Sequence, residues 1–280
     1  MSKLSRSQLL NFAPDSYLER TSRPLYSLIF LLPFIVFYEL GTIFLNTDVL
    51  DRSQVRVVAF VWLQRGLEHL GLGGKFAWIA PPLVVVAILL ALHITSKKSW
   101  RFFVNDFWPM HIECILLSIP LIVLSLALNT SAGSGIPAQA DMLMSGFLGQ
   151  AEVFVQHSVL ADIVTGIGAG IYEELIFRLI LICLLMMVLQ DLLRFSHRDS
   201  VVIAIIVSAA LFSAHHHILL INGQFENLSD FSWMVFIFRT VAGVYFAVLF
   251  AIRGFGIAAG THAFYDIIAT LINAAFFSQQ

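Results

Sequence analysis

Charge is scarce in this chain. Of its 280 residues only 12% are charged and 59% are apolar, where an ordinary soluble domain has about 25% and about 45–50%. A water-soluble globule with so few charges cannot cover its surface, so a cytosolic enzyme is excluded. The mean hydropathy is +0.86. A basic excess is lacking as well. Sixteen Lys and Arg face eighteen Asp and Glu, for a formal charge of −2. No positive field is present to attract phosphates, which excludes nucleic acid as a partner. Cysteine is nearly absent. Cys114 and Cys183 are too few for a disulfide framework or a Cys-rich metal site. Each lies in an apolar run, where a small inert core residue is expected. Internal repeats and low-complexity tracts are also missing.

What the chain has instead is long apolar runs. A membrane span needs about 20 mostly apolar residues, and candidates lie at 25–45, 76–94, 111–128, 161–189, 201–221, 231–252 and 255–277. Continuous apolar character at these lengths means helices, and the alternation expected of barrel strands is absent. The fold expected is an all-α polytopic bundle of seven spans around a conical polar cavity. The segment 54–70 is apolar but carries Arg56, Arg65, Glu68 and His69. It reads as an interfacial amphipathic helix or as an eighth span. Loop charges favour the former. With seven spans and a cytoplasmic N-terminus, Lys3, Arg6, Arg20, Arg23, Lys97, Lys98, Arg101, Arg194, Arg198 and Arg253 all fall inside. The first run lacks a small-residue cleavage site and is long enough to span, which predicts a permanent anchor. The organisation expected is a cytoplasmic segment 1–24, N-terminal spans over 25–128, an external loop 129–156 without Lys or Arg, and a four-span core at 157–280.

Against this background the ionisable residues inside the last four runs stand out: Glu173, Glu174, Arg178, His215, His216, His217, Arg239, His262 and Asp266. Each charge at mid-helix costs about 2.5–3.5 kcal/mol on insertion scales, so such groups mark function by default. Residues four apart share a helix face. Glu174 and Arg178 are so spaced, as are Phe212 and His216, and His262 and Asp266. If the three faces converge they form a pocket of carboxylates and imidazoles. Two adjacent carboxylates in a low-dielectric site cannot both ionise freely, which suits one of them to general-base work. A water between Glu173 and His216 can then attack a carbonyl, with His262 and Asp266 on the oxyanion side.

Glu-Glu-x-x-x-Arg at 173–178, Phe-x-x-x-His at 212–216 and His-x-x-x-Asp at 262–266 resemble, in order and spacing, the motifs of the CPBP intramembrane proteases. That family takes in CAAX prenyl endopeptidases of the Rce1 type and bacteriocin-processing and immunity-like (Abi) proteins. The resemblance covers about 160–277. It implies a glutamate-dependent peptidase that needs no metal and no other cofactor. Glu173 is then the water-activating base and His216 its partner. Glu174 and Arg178 support them, and His262 and Asp266 form the oxyanion side. The substrate is a protein or peptide at the lipid bilayer, lipidated in some relatives, and the location is a bacterial inner membrane. Asp266 stands where the eukaryotic enzymes have Asn; it either carries a proton or only orients His262.

Other readings compete. A metal held by Glu173, His216 and His262 is chemically open, although three consecutive helical histidines point about 100° apart and cannot all face one ion. A proton or ion relay in a transporter, and a non-catalytic scaffold or immunity protein, are the rival functions. Phe212 reads as packing that shapes the substrate pocket. Arg239 reads as structural, paired with Glu226 or Asp230, or else as facing the cavity. Glu39 reads as structural. Gly166-x-x-x-Gly170 and Gly256-x-x-x-Gly260 read as close-packing stripes that bring the fourth and seventh spans together.

Overall fold

The computed structural model describes residues 12–47, 57–71, 78–131, 159–216, 218–221, 224–227 and 232–276. The expected loop 129–156 therefore lies, apart from its first three residues, outside the described residues, as does His217. The elements are α1 (Tyr17–Thr21), α2 (Pro24–Thr47), α3 (Val58–His69), α4 (Ala80–Ser96), α5 (Phe107–Ser131), α6 (Val159–Leu192), α7 (His197–His215), a hairpin of β1 (Ile218–Ile221) and β2 (Gln224–Asn227), α8 (Trp233–Arg253) and α9 (Phe255–Phe276). Among the described residues that hairpin is the one sheet in a helical bundle, and it pairs Ile218 with Asn227 and Ile221 with Gln224. The fifth span was expected to run to 221. It stops at His215, and the chain turns into β1 instead.

Among the described residues six helices, α2, α5, α6, α7, α8 and α9, are long and apolar enough to cross a membrane. The remaining expected span, α4, has 17 residues, about 26 Å of helix at ~1.5 Å per residue. Its length falls a little short of the ~30 Å hydrocarbon core. Helix α3 has 12 residues, about 18 Å, too short to cross. It turns Ala59, Phe60 and Leu67 inward, and Phe60 meets Tyr38 and Tyr172 edge-on or tilted.

Lipid is as apolar as Leu, so the bundle gains nothing by hiding aliphatic residues and turns its polar ones inward. On α5, Ile112, Leu116, Ile119 and Val123 are exposed at near-helical spacing, a stripe for acyl chains. Helix α9 is the opposite case. Most of its length from Phe255 to Thr270 is buried, and it packs against α6, α5, α2 and α8. Small residues make this possible. Helices α6 and α9 run antiparallel with Gly166 against Asp266 and Gly170 against Ala259 and Ala263. Of the two glycine stripes, only the first joins the fourth and last spans. Gly256 and Gly260 instead face Ser27 and Phe30 of α2 and Cys114 of α5.

One end of the bundle is tied by ions. Arg253 at the end of α8 donates to Glu113 of α5 at 2.6 and 2.8 Å, to the Leu18 carbonyl at 2.8 Å and to Thr21 and Ser22. Arg20 meets Asp106 with two bonds of 2.9 Å. Burial works against the Glu19 charge, but Arg23 and Lys98 outweigh it and hold that carboxyl below its usual range. Arg253→Met removes five donor contacts that fasten α1 to α5 and α8. Because Glu113 keeps some access to solvent, the expected loss is about 1–3 kcal/mol, less than for a sealed pair. A fall in thermal midpoint in detergent checks it; an unchanged midpoint refutes it.

Candidate active site

The site begins with a defect in α6. After Glu174 the helix passes through a π turn at Leu175–Leu181, and a second at Met187–Leu192. Such turns occur mostly at functional sites because they re-aim side chains and leave carbonyls for other donors. One such carbonyl, that of Phe177, takes a 2.6 Å bond from Ser208 of α7. Ser213 of α7 in turn donates to the Phe236 carbonyl of α8 at 2.7 Å. These bonds fix α7 between α6 and α8.

Glu173, Glu174, Arg178, Phe212, His216, His262 and Asp266 are all buried, and the three motifs meet. Glu174 Oε1 lies 3.2 Å from Arg178 Nη1 and accepts from His262 Nδ1 at 2.8 Å. Arg178 also donates to the Gly243 carbonyl at 3.2 Å. Its guanidinium sits over the Phe212 ring at 4.2 Å, a favourable cation–π geometry. His262 stacks on Phe246 with centroids 4.5 Å apart. Its Nε2 lies 3.6 Å from Asp266 Oδ2 and 3.9 Å from Glu173 Oε2. His216 Nε2 lies 3.7 Å from Glu173 Oε1. Residues 89 positions apart in the chain thus share one small volume.

Two residues join them that motif spacing did not select. His215 Nε2 is 3.5 Å from Glu173 Oε1, closer than His216. The expectation that neighbouring histidines diverge assumes a continuing helix. Here α7 ends at His215 and His216 is its cap. Both rings reach back to the Phe212 carbonyl, at 2.6 and 2.9 Å, and so fold onto one side with centroids 3.9 Å apart. Two adjacent histidines at a helix end, three and four residues after the same carbonyl, are the signal that could have found this. The second is Arg239. It is buried, and its charge acts on Glu173, Tyr265 and His216, in line with the cavity-facing reading; Asp230 and the side chain of Glu226 lie outside the described residues. Its Nε has no hydrogen-bond partner among the described residues.

The outer wall comes from α3 and α2. Trp62 of α3 lies edge-on to His215 at 5.6 Å. Glu39 of α2 accepts from Tyr172 at 3.1 Å, one residue before the base candidate. Three carboxylates are matched by two guanidiniums and three imidazoles. Buried charges are tolerable only when paired and hydrogen-bonded. Oxygens of Glu173, Glu174 and Asp266 nevertheless lack hydrogen-bond partners among the described residues. Native interiors satisfy the large majority of such groups with protein or ordered water.

Residues 155–268 match the family model described as type II CAAX prenyl endopeptidase Rce1-like. No curated protein and no solved structure matches the chain. The matched segment holds all three motifs.

Proposed function

From an Rce1-like domain of the CPBP/CAAX intramembrane protease family at residues 155–268, in an integral membrane protein with six apolar helices of spanning length, we propose a glutamate-dependent endopeptidase. Its substrate is a peptide bond of a membrane-associated protein or peptide, and the bacterial inner membrane is its location. The observation that carries this reading is the convergence of Glu173 with His216 and His262 at 3.7 and 3.9 Å. Those gaps exceed a direct hydrogen bond and suit a shared water.

In the proposed reaction Glu173 takes a proton from that water as its oxygen attacks the scissile carbonyl. His216 orients the water. Its Nδ1–H is committed to the Phe212 carbonyl, so Nε2 is the end that faces the reacting atoms. Glu174 and Arg178 act through His262. Glu174 takes the His262 Nδ1–H, so His262 donates to an oxyanion only as the imidazolium, with three carboxylates around it for counter-charge. Arg239 brings a second positive group within electrostatic reach of Glu173. When the C–N bond breaks, the proton on Glu173 passes to the departing amine.

Asp266 Oδ2 lies 3.6 Å from His262 Nε2, a position suited to orienting the ring. A lipidated peptide is the first substrate to try, because the family's description names prenyl substrates. The test is hydrolysis by purified protein in liposomes of a membrane-anchored, prenylated peptide in ¹⁸O-labelled water, read by mass spectrometry. The expected result is one labelled oxygen in the new carboxyl terminus, formed by the parent chain and absent with Glu173→Ala. Proton flux without any cleavage would overturn the reading in favour of a transporter.

A further inference from the structure

Glu173 and the two histidines at the end of α7 form an arrangement that water activation by Glu173 and His216 alone does not explain. The Phe212 carbonyl can only accept hydrogen bonds. Both ring nitrogens that approach it, His215 Nδ1 at 2.6 Å and His216 Nδ1 at 2.9 Å, therefore carry hydrogen. In the neutral rings the lone pairs are then on Nε2, and both Nε2 atoms face Glu173 Oε1, at 3.5 and 3.7 Å. The three candidate ligand atoms lie within 4.8 Å of one another, and all three residues are buried. Lone pairs that converge in a buried site repel unless a shared proton or a metal ion lies among them, and the three atoms lie close enough together for either.

We propose that Glu173, His215 and His216 form a transition-metal site of the zinc class, and that the metal inhibits the peptidase. Two imidazoles and one carboxylate are a common protein donor set for Zn²⁺, with the fourth position left to water. The distances fit. Bonds of about 2.1 Å at tetrahedral angles place two ligand atoms about 3.4 Å apart, close to the two separations observed. The backbone fit is of the same kind: a ligating histidine almost always gives its other N–H to a carbonyl or carboxylate, which fixes tautomer and ring orientation. Here one carbonyl serves both rings. His215 fills an unspecified position of the second motif, so the site is a property of these two neighbouring residues and the helix end that turns them together.

Inhibition rests on the reading of Glu173 as base. A metal bound to Glu173 Oε1 and His216 Nε2 takes the lone pairs that would accept the water's proton and hold the water. His262 stays outside the set, since it faces the other oxygen of Glu173 and is bonded to Glu174.

The probe is Co²⁺ alone, added to chelator-stripped protein in detergent and followed by its visible d–d absorption, with peptidase activity read on the same samples. One Co²⁺ per chain in a four-coordinate environment is expected, displaced by Zn²⁺, with activity falling in step with occupancy. Ligand loss should weaken binding more than the 10–100-fold typical of outer-sphere changes, so His215→Ala is expected to reduce Co²⁺ affinity by at least about 100-fold. His215→Gln, closer in size, repeats the measurement should the alanine variant not fold. Absence of the Co²⁺ bands from the parent chain overturns the site and leaves the glutamate reading standing. Bands accompanied by metal-dependent gain of activity overturn the inhibitory role and the glutamate reading together. Bands in a protein that cuts nothing with or without metal leave the site and refute the peptidase.

Discussion

Replacing Glu173 by Gln is expected to lower kcat by about 10²–10⁴-fold, the usual contribution of a positioned acid–base group. The substitution keeps the size of the side chain and one carbonyl oxygen, and removes the negative charge and with it the capacity to take a proton. KM should change little, because substrate contacts elsewhere are untouched and an interaction made only in the transition state is being lost. His216→Ala should show a loss of similar size, and the double variant little more than either alone, since groups that act as a unit are not additive. The thermal midpoint separates this from unfolding. In Glu173→Gln the pair of Glu174 with Arg178 and the bond of His262 to Glu174 are retained, so the bundle should stay assembled. Full activity in either single variant removes Glu173 and His216 from the chemistry.

The positions that hydropathy and spacing could reach are those governed by local rules. Apolar length located the helices because nothing else in lipid satisfies a backbone, and α2, α5, α6, α7, α8 and α9 follow. The i, i+4 rule put Glu174 beside Arg178 and His262 beside Asp266, at 3.2 and 3.6 Å. It could not reveal that His262 also bonds Glu174 across the bundle, because nothing in either helix encodes their relative height. The π turn after Glu174 carries no composition signal; Leu-Ile-Phe-Arg-Leu-Ile-Leu reads as ordinary helix. His215 was passed over for a related reason. Its direction depends on where α7 stops, and an apolar run continuing to Ile221 hid the change from helix to hairpin. Arg239 was left between two readings because sequence distance pointed to the nearby acids of the loop, whereas Glu173 comes within its electrostatic reach only in the fold. In each case the missing information was the height or rotation of one helix against another.

That rotation is set by contacts without side chains, and a single methyl group should disturb it. Gly170 lies one turn before Glu174, facing α9. A Cβ there falls 2.6 Å from the Ala263 nitrogen and 2.8 Å from the Ala259 carbonyl oxygen. Both are backbone atoms of a buried helix and cannot swing aside, so Gly170→Ala must push α6 from α9. The bond between Glu174 and His262, 2.8 Å long, spans that interface just above the contact, so it opens with the helices. Overpacking of this kind costs about 1–3 kcal/mol. A misplacement of about 1 Å in a catalytic group can cost roughly 10²-fold in rate, so activity should fall further than stability. Gly66→Ala is the control. It lies at an exposed position of α3 with nothing within 4 Å of the added carbon, and Ala favours a helix over Gly by up to ~1 kcal/mol. It should leave cleavage unchanged and raise the thermal midpoint slightly. Equal activity of Gly170→Ala and the parent chain would mean that the close approach of α6 and α9 does not hold the reacting groups in place. The site would then owe its geometry to the ion pairs alone.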